Sequence, residues 1–207
     1  MSKIRESNRV LWLPDLSNEE SIKNLIKDLI QLELESKKEP VYLLIMSDGG
    51  LLGNTYLLHS FLTKSITFPL VTVGIANVIS AANAIFACGH LRLALTNTLF
   101  TLHKASTELG NISMSPDDLA GIKKELDSDT TQFFKVVTAK QKHHLNPCKL
   151  KVSGLKKLIK KSPDGDYVFG VDMAMKYGLA DAIVESISEV MEIASEKLPY
   201  VLAKLKK

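Results

Sequence analysis

Two hydrophobic textures alternate along the first half of the chain. Short, nearly unbroken apolar runs, Val10-Leu11-Trp12-Leu13, Val41-Tyr42-Leu43-Leu44-Ile45-Met46 and Pro69-Leu70-Val71-Thr72-Val73, read as strands. The run from 41 to 46 is apolar on both faces, which suits a buried parallel strand better than a half-exposed one. Between the first two runs Ile22, Leu25, Ile26, Leu29, Ile30 and Leu34 fall at helical spacing and predict an amphipathic helix over about 19–36. Ser17 with Glu20 three places on reads as its capping box, and Lys37-Lys38-Glu39-Pro40 as its end. Leu52, Tyr56, Leu57 and Phe61 predict a second helix within 51–64. A small-residue helix follows from about 80 to 88. Two short strands, 91–95 and 99–103, are separated by a turn at Thr96-Asn97.

This repeated strand-helix-strand order with buried strands predicts an α/β domain. Beyond His103 the texture changes. Residues 104–114 read as a loop, and Pro116-Asp117-Asp118 opens a long, polar, weakly amphipathic helix over 116–142 that is expected to project or bridge. Residues 143–163 are lysine-rich, with a short helix near 153–161. A strand at Tyr167-Val168-Phe169, a helix over 171–177 and a strand at Ala182-Ile183-Val184 follow. The last element is an amphipathic helix over 186–205, expected to be broken or kinked at Pro199.

With 207 residues, 45% hydrophobic and 24% charged, the chain is long enough for one well-buried domain of ordinary composition. A net charge of +3 is too small to argue for nucleic acid. The lysine run (Lys149, Lys151, Lys156, Lys157, Lys160, Lys161, then Lys204, Lys206 and Lys207) has no interleaved aromatics for base stacking and reads as a solvated face. The two cysteines, Cys88 and Cys148, form no disulfide framework and fit a reducing compartment. The polar segment from Met1 to Asn8 has no signal-peptide core behind it, and no apolar stretch reaches membrane-spanning length. A cytoplasmic protein that does not enter membranes is therefore expected.

Three places carry candidate chemistry: the turn Ser47-Asp48-Gly49-Gly50 at a strand end, Ser80 at the start of a small-residue helix, and His103 closing a strand. A serine there gains from the free amides of the helix start. The Ala81 amide, with one from the glycine turn, would face an oxyanion formed on a carbonyl attacked by Ser80. Val78-Ile79-Ser80-Ala81-Ala82 is not the Gly-x-Ser-x-Gly elbow of the α/β-hydrolases. The plainer reading makes Ser80 a helix cap and His103 a satisfied edge residue. His143-His144 with Cys148 has some donors of a metal site but lacks a second cysteine or clustered carboxylates, so no metal is expected. No spacing rule picks the carboxylate that would complete a triad.

The ordered set resembles the proteolytic subunit of the Clp protease, ClpP. Ser47-Asp48-Gly49-Gly50 stands where that family has Ser-Pro-Gly-Gly, and Asn97 keeps the family's spacing to His103. Tyr177-Gly178-Leu179-Ala180-Asp181 resembles its Tyr-Gly-Leu-x-Asp element, and the family's catalytic aspartate, eleven places before that tyrosine, is Asp166 here. The resemblance implies a ClpP/crotonase-like spiral of β-β-α units with a protruding helical handle. It implies one domain: a core over 9–103 and 166–185, a handle with a basic insertion over 104–165, and an extra C-terminal helix over 186–207. It makes Ser80 the nucleophile, His103 the general base, Asp166 its orienting carboxylate, and the amides of Gly50 and Ala81 the oxyanion hole. The implied activity is a serine endopeptidase without cofactor, cutting peptides or unfolded proteins inside a homo-oligomeric chamber, a heptamer or tetradecamer. Asp48, Ala105 and Gly165 depart from the family's proline, proline and arginine. The first strand begins by residue 10, leaving little of the family's N-terminal axial loop, so pairing with an AAA+ ATPase is left open. A weak or inactive ClpP-like ring subunit and a crotonase-type acyl-CoA enzyme are the alternatives.

Overall fold

The structure is a computed structural model that describes residues 9–107, 113–141 and 143–205. The N-terminal polar segment, part of the 104–114 loop, residue 142 and the terminal Lys206 and Lys207 lie outside the described residues. The elements run β1 (Val10–Trp12), α1 (Glu19–Glu35), β2 (Val41–Ser47), α2 (Leu52–Lys64), β3 (Leu70–Ile79), α3 (Ala82–Phe86), β4 (Leu91–Leu95) and β5 (Leu99–Leu102). They continue with α4 (Pro116–Val137), α5 (Val152–Lys161), β6 (Tyr167–Gly170), α6 (Val171–Tyr177), β7 (Ala182–Val184) and α7 (Ile187–Leu205).

The sheet is mostly parallel, in the order β1-β2-β3-β4-β7, and it forks at β3. The first part of β3 pairs with β4 (Val71↔Leu91 to Gly74↔Ala94), the last part with β5 (Asn77↔Leu99 to Ile79↔Thr101). Gly74 sits at the fork. A Cβ there would stand 3.0 Å from Thr98 Cγ2, and Thr98 Oγ1 donates to the Gly74 carbonyl at 2.8 Å. The absent side chain lets the β4–β5 turn cross β3. Strand β6 then returns antiparallel along β5.

As expected of a buried parallel strand, β2 feeds two cores. Leu43 and Ile45 face the larger one, built with α1, α2, α3 and the C-terminal end of α4. Tyr42 and Leu44 face the smaller one with Val71, Val73, Leu91, Leu93 and Val184, covered by Val190, Ala194 and Leu198 of α7. That burial explains why α7 runs through Pro199 instead of breaking there. Proline costs the helix about 3 kcal/mol, but Leu198 and Val201 on either side are buried.

Other expectations shift for local reasons. The N-cap of α1 is Asn18, whose side-chain oxygen accepts from Ser21 N, while Ser17 N is held by Asp15 Oδ1 at 2.8 Å. Strand β3 reaches Ile79 rather than ending near 73, because β2 and β5 both pair with its second half. Helix α4 ends at Val137, where Thr138 turns its N–H and hydroxyl back onto Phe134 O. Its first half is largely exposed, but Thr130, Phe133, Phe134 and Val137 are buried, so only part of it projects. The α5 lysines Lys156, Lys157, Lys160 and Lys161 are exposed while Leu155 and Ile159 are buried, the solvated face read from the sequence.

Two buried arginines tie the frame. Arg9 donates to the carbonyls of Leu32, Ser36, Glu39 and Pro40, fixing β1 to the α1–β2 connection. Arg92 on β4 makes a two-pronged pair with Asp181 just before β7 (both bonds 2.9 Å) and donates to Gly178 O and Asn146 O. Asn146 N donates to Asp181 Oδ1 at 2.8 Å, closing the network.

Candidate active site

Ser80 occupies a sharp turn between β3 and α3 with φ of 53°, the one positive value for a non-glycine among the described residues. A left-handed backbone costs an L residue of order 1 kcal/mol or more and persists only where the surroundings impose it. Ser80 N donates to Thr101 O at 2.8 Å, and Ser80 O accepts from Asn83 N at 3.1 Å. Helix α3 begins only at Ala82, with Ala81 at its cap position and no side-chain cap bond. The plainer reading of Ser80 as an N-cap therefore fails. The turn is a strained strand-to-helix bend, mechanically like a nucleophile elbow, with Val78 and Ala82 in place of the elbow's glycines.

The double-glycine turn explains how the strain is held. Gly49 has φ of 99°, and a Cβ on it would stand 2.8 Å from Ser80 Cβ and 3.0 Å from both Ala81 N and Ile79 O. Gly50, at φ 145°, presses against the Leu16–Ser17 backbone, where a Cβ would come within 2.5 Å. The turn thus lies flush on the Ser80–Ala81 peptide. Among the described residues neither Gly50 N–H nor Ala81 N–H makes a hydrogen bond. Gly50 is exposed and lines the cleft, whereas Ala81 is fully buried.

Register brings the histidine and aspartate close. Parallel pairing of Ile79 with Thr101 puts Ser80 beside Leu102, one residue before His103. Antiparallel pairing of Leu102 with Tyr167 makes Asp166 the next position opposite His103. Ser80, His103 and Gly50 line one cleft of about 480 Å³, with Leu51, Leu126 and Phe133 among its apolar walls and Glu125 and Asp129 on its α4 side. His103 also borders a second, more open depression with Asp164 and Asp166.

The triad hydrogen bonds are not formed. Among the described residues Ser80 Oγ has no partner, and His103 Nδ1 lies 2.7 Å from its neighbour's carbonyl, Lys104 O, rather than from Asp166. Asp166 and Asp164 are both exposed. A carbonyl only accepts, so His103 donates from Nδ1. In the neutral ring this leaves the Nε2 lone pair free, the tautomer a general base requires.

Asn83 was not singled out in the sequence. It is buried, and its side-chain nitrogen donates to Val78 O, Ser80 O and Thr101 O. The available signal was a lone amide in an apolar small-residue run, three places after the serine.

The other histidines stand away from this cleft. His90 Nδ1 accepts from Leu70 N, and burial, then the neighbouring His143, holds its pKa down to about 4. His144 Nε2 donates to Gly89 O, and burial, then the Arg92 charge, holds it down to about 3. Cys148 is buried against the Leu150 carbonyl. Among the described residues no three histidine, cysteine or acidic side chains come together in a way that would hold a metal ion. Nor is any described helix long and apolar enough to cross a membrane.

Comparison with known proteins agrees with the fold. A family model described as Clp protease matches residues 2–187. The chain is 23% identical over 190 residues to the ATP-dependent Clp protease proteolytic subunit 2 of Prochlorococcus marinus (strain NATL2A), covering 88% of this chain and 86% of that one.

Proposed function

Since the chain belongs to the Clp protease family, we propose that it is a serine peptidase acting on peptides or unfolded polypeptides within a homo-oligomer. Ser80 is the nucleophile, His103 the general base and then acid, and Asp166 the carboxylate that stabilises the imidazolium. The observation that carries this reading is the left-handed Ser80 turn, pressed against Gly49 beside the cleft that His103 also lines. Strain at a half-buried serine that lines the cleft, maintained by two glycines without side chains, has a ready purpose if the hydroxyl must face a substrate.

Ser80 Oγ attacks the scissile carbonyl carbon while His103 Nε2 takes its proton. The developing oxyanion is met by Gly50 N–H and Ala81 N–H, two donors with no competing partner among the described residues, each worth about 3 kcal/mol of barrier. His103 then protonates the leaving amine, and water, activated by the same ring, releases the acyl-enzyme. In the free state Lys104 O orients the ring. Formation of the imidazolium attracts the exposed Asp166 carboxylate, which stands one residue beyond the Leu102↔Tyr167 pair on the β6 side. The chain acts as a single domain in which α7 seals the second sheet face.

A second reading, a catalytically weak ring subunit, draws support from the same geometry: His103 Nδ1 faces Lys104 O, and Asp166 is exposed. Hydrolysis of a fluorogenic peptide by the assembled protein separates the two. The peptidase reading expects turnover that disappears in Ser80→Ala and His103→Ala, and falls far more in Asp166→Asn than in Asp164→Asn. Wild-type protein without turnover, or turnover indifferent to Ser80→Ala, would reject it.

A further inference from the structure

Around the nucleophile turn one buried polar side chain takes no part in the chemistry above. Asn83 lies on α3 and is 4% exposed. Its side-chain nitrogen donates to Val78 O at 2.9 Å, to Thr101 O at 2.9 Å and to Ser80 O at 3.1 Å. The orientation of the amide is forced, because its oxygen turned the same way would face three acceptors and no donor. The three carbonyls belong to the strand that leads into Ser80, to Ser80 itself, and to the strand that ends beside His103.

We propose that Asn83 is a positioning residue for the attack: it clamps the left-handed Ser80 turn to β5 and so fixes the nucleophile relative to His103. The proposal rests on the peptidase reading. Its physical basis is that nothing local favours the Ser80 conformation. A serine followed by alanines relaxes readily into right-handed helix, which would swing the Ser80 carbonyl away from the amide that now binds it. The Ser80 N–H bond to Thr101 O already joins β3 to β5 at this level, and Asn83 binds the same Thr101 carbonyl from the helix side. Losing the clamp leaves the fold's two cores intact but frees the turn, and a displacement of about 1 Å at a reacting atom costs about a hundredfold in rate.

The test compares the full-length wild type with Asn83→Ala, Asn83→Ser and Leu198→Ala, a destabilised control on the buried face of α7. Each is assayed for peptide hydrolysis at a temperature where circular dichroism shows it folded. The expected result for Asn83→Ala is a kcat lower by about 10- to 100-fold with KM within about twofold. Asn83→Ser, which keeps one donor, should recover part of the loss, and Leu198→Ala should keep the wild-type kcat. Equal kcat in wild type and Asn83→Ala would overturn the inference while leaving the peptidase reading standing. So would Asn83→Ala and Asn83→Ser variants that do not fold, since Asn83 would then hold the fold rather than the turn. A wild type without turnover would overturn the peptidase reading, and this inference with it.

Discussion

Replacing Gly49 by alanine sets the glycine turn against the nucleophile turn. The new methyl carbon would lie 2.8 Å from Ser80 Cβ, 3.0 Å from Ala81 N and 3.0 Å from Ile79 O. Unstrained carbon contacts lie at roughly 3.5–4.0 Å, so one of the two turns must retreat by about 1 Å. The backbone at φ 99° adds a second cost, of order 1 kcal/mol, because an L side chain does not accept that conformation. Together they predict a loss of about 2–4 kcal/mol, which for a chain of this size lowers Tm by about 5–15 °C. A turn displaced by that distance also separates Gly50 N–H from Ser80, and peptide turnover should fall about a hundredfold. Gly53→Ala is the matched control. A Cβ there meets nothing within 4 Å in the first turn of α2, and the variant should gain up to about 1 kcal/mol with unchanged turnover. Calorimetry and a fluorogenic peptide assay on both proteins read the outcome. A Gly49→Ala protein with wild-type Tm and turnover would refute the close packing on which the site is built.

Further predictions concern the frame. Asp181→Ala leaves the Arg92 guanidinium buried without its counter-charge and should cost about 3–5 kcal/mol in urea unfolding, whereas Arg92→Met with Asp181→Leu should recover most of that loss. Stability should fall on acidification from pH 7.5 to 5. The unfolded chain takes up protons on His90 and His144 as pH drops through 6.5, while burial keeps both neutral in the fold until about 4 and about 3. Burial tends to raise Asp181, but the Arg92 hydrogen bonds and charge hold it below 3.8, so its contribution persists above that pH and is lost only as pH falls further, through its folded value. His90→Asn, whose side-chain oxygen can still take the Leu70 N–H, should flatten the slope between pH 6.5 and 4. An unchanged slope would exclude His90 from the acid response.

Most of the frame was legible because burial writes itself into periodicity. The continuous apolar run of β2, the helical spacing of Ile22 to Leu34, and the short elements over 167–184 are all recovered, within a residue or two, in the fold. Ends decided by tertiary contact were not. The second half of β3 looks like loop in isolation, since Ala76 and Asn77 have little strand preference, and it is extended only because β2 and β5 bracket it. Helix α7 continues through Pro199 because the sheet face beneath it outweighs the local cost of proline, and that face is not visible in the local sequence. At the site, residue types and order pointed to Ser80, the glycine turn and His103. The strained φ of Ser80 and the three-carbonyl grip of Asn83 depend on chain segments 18 residues apart, and no spacing rule contains them. The β5–β6 pairing that ends at Leu102↔Tyr167, one residue short of His103 and Asp166, is likewise absent from any spacing rule. The Lys104 carbonyl that holds the ring in the free state is a backbone atom without any sequence signature.

The central claim is that Ser80 is a nucleophile activated by His103. Its most direct test is treatment of the folded, assembled protein with a fluorophosphonate, followed by mapping of the adduct by mass spectrometry. The account predicts one phosphonyl group on Ser80, absent in Ser80→Ala and formed far more slowly in His103→Ala. An unmodified Ser80, or an adduct elsewhere that survives Ser80→Ala, would contradict it.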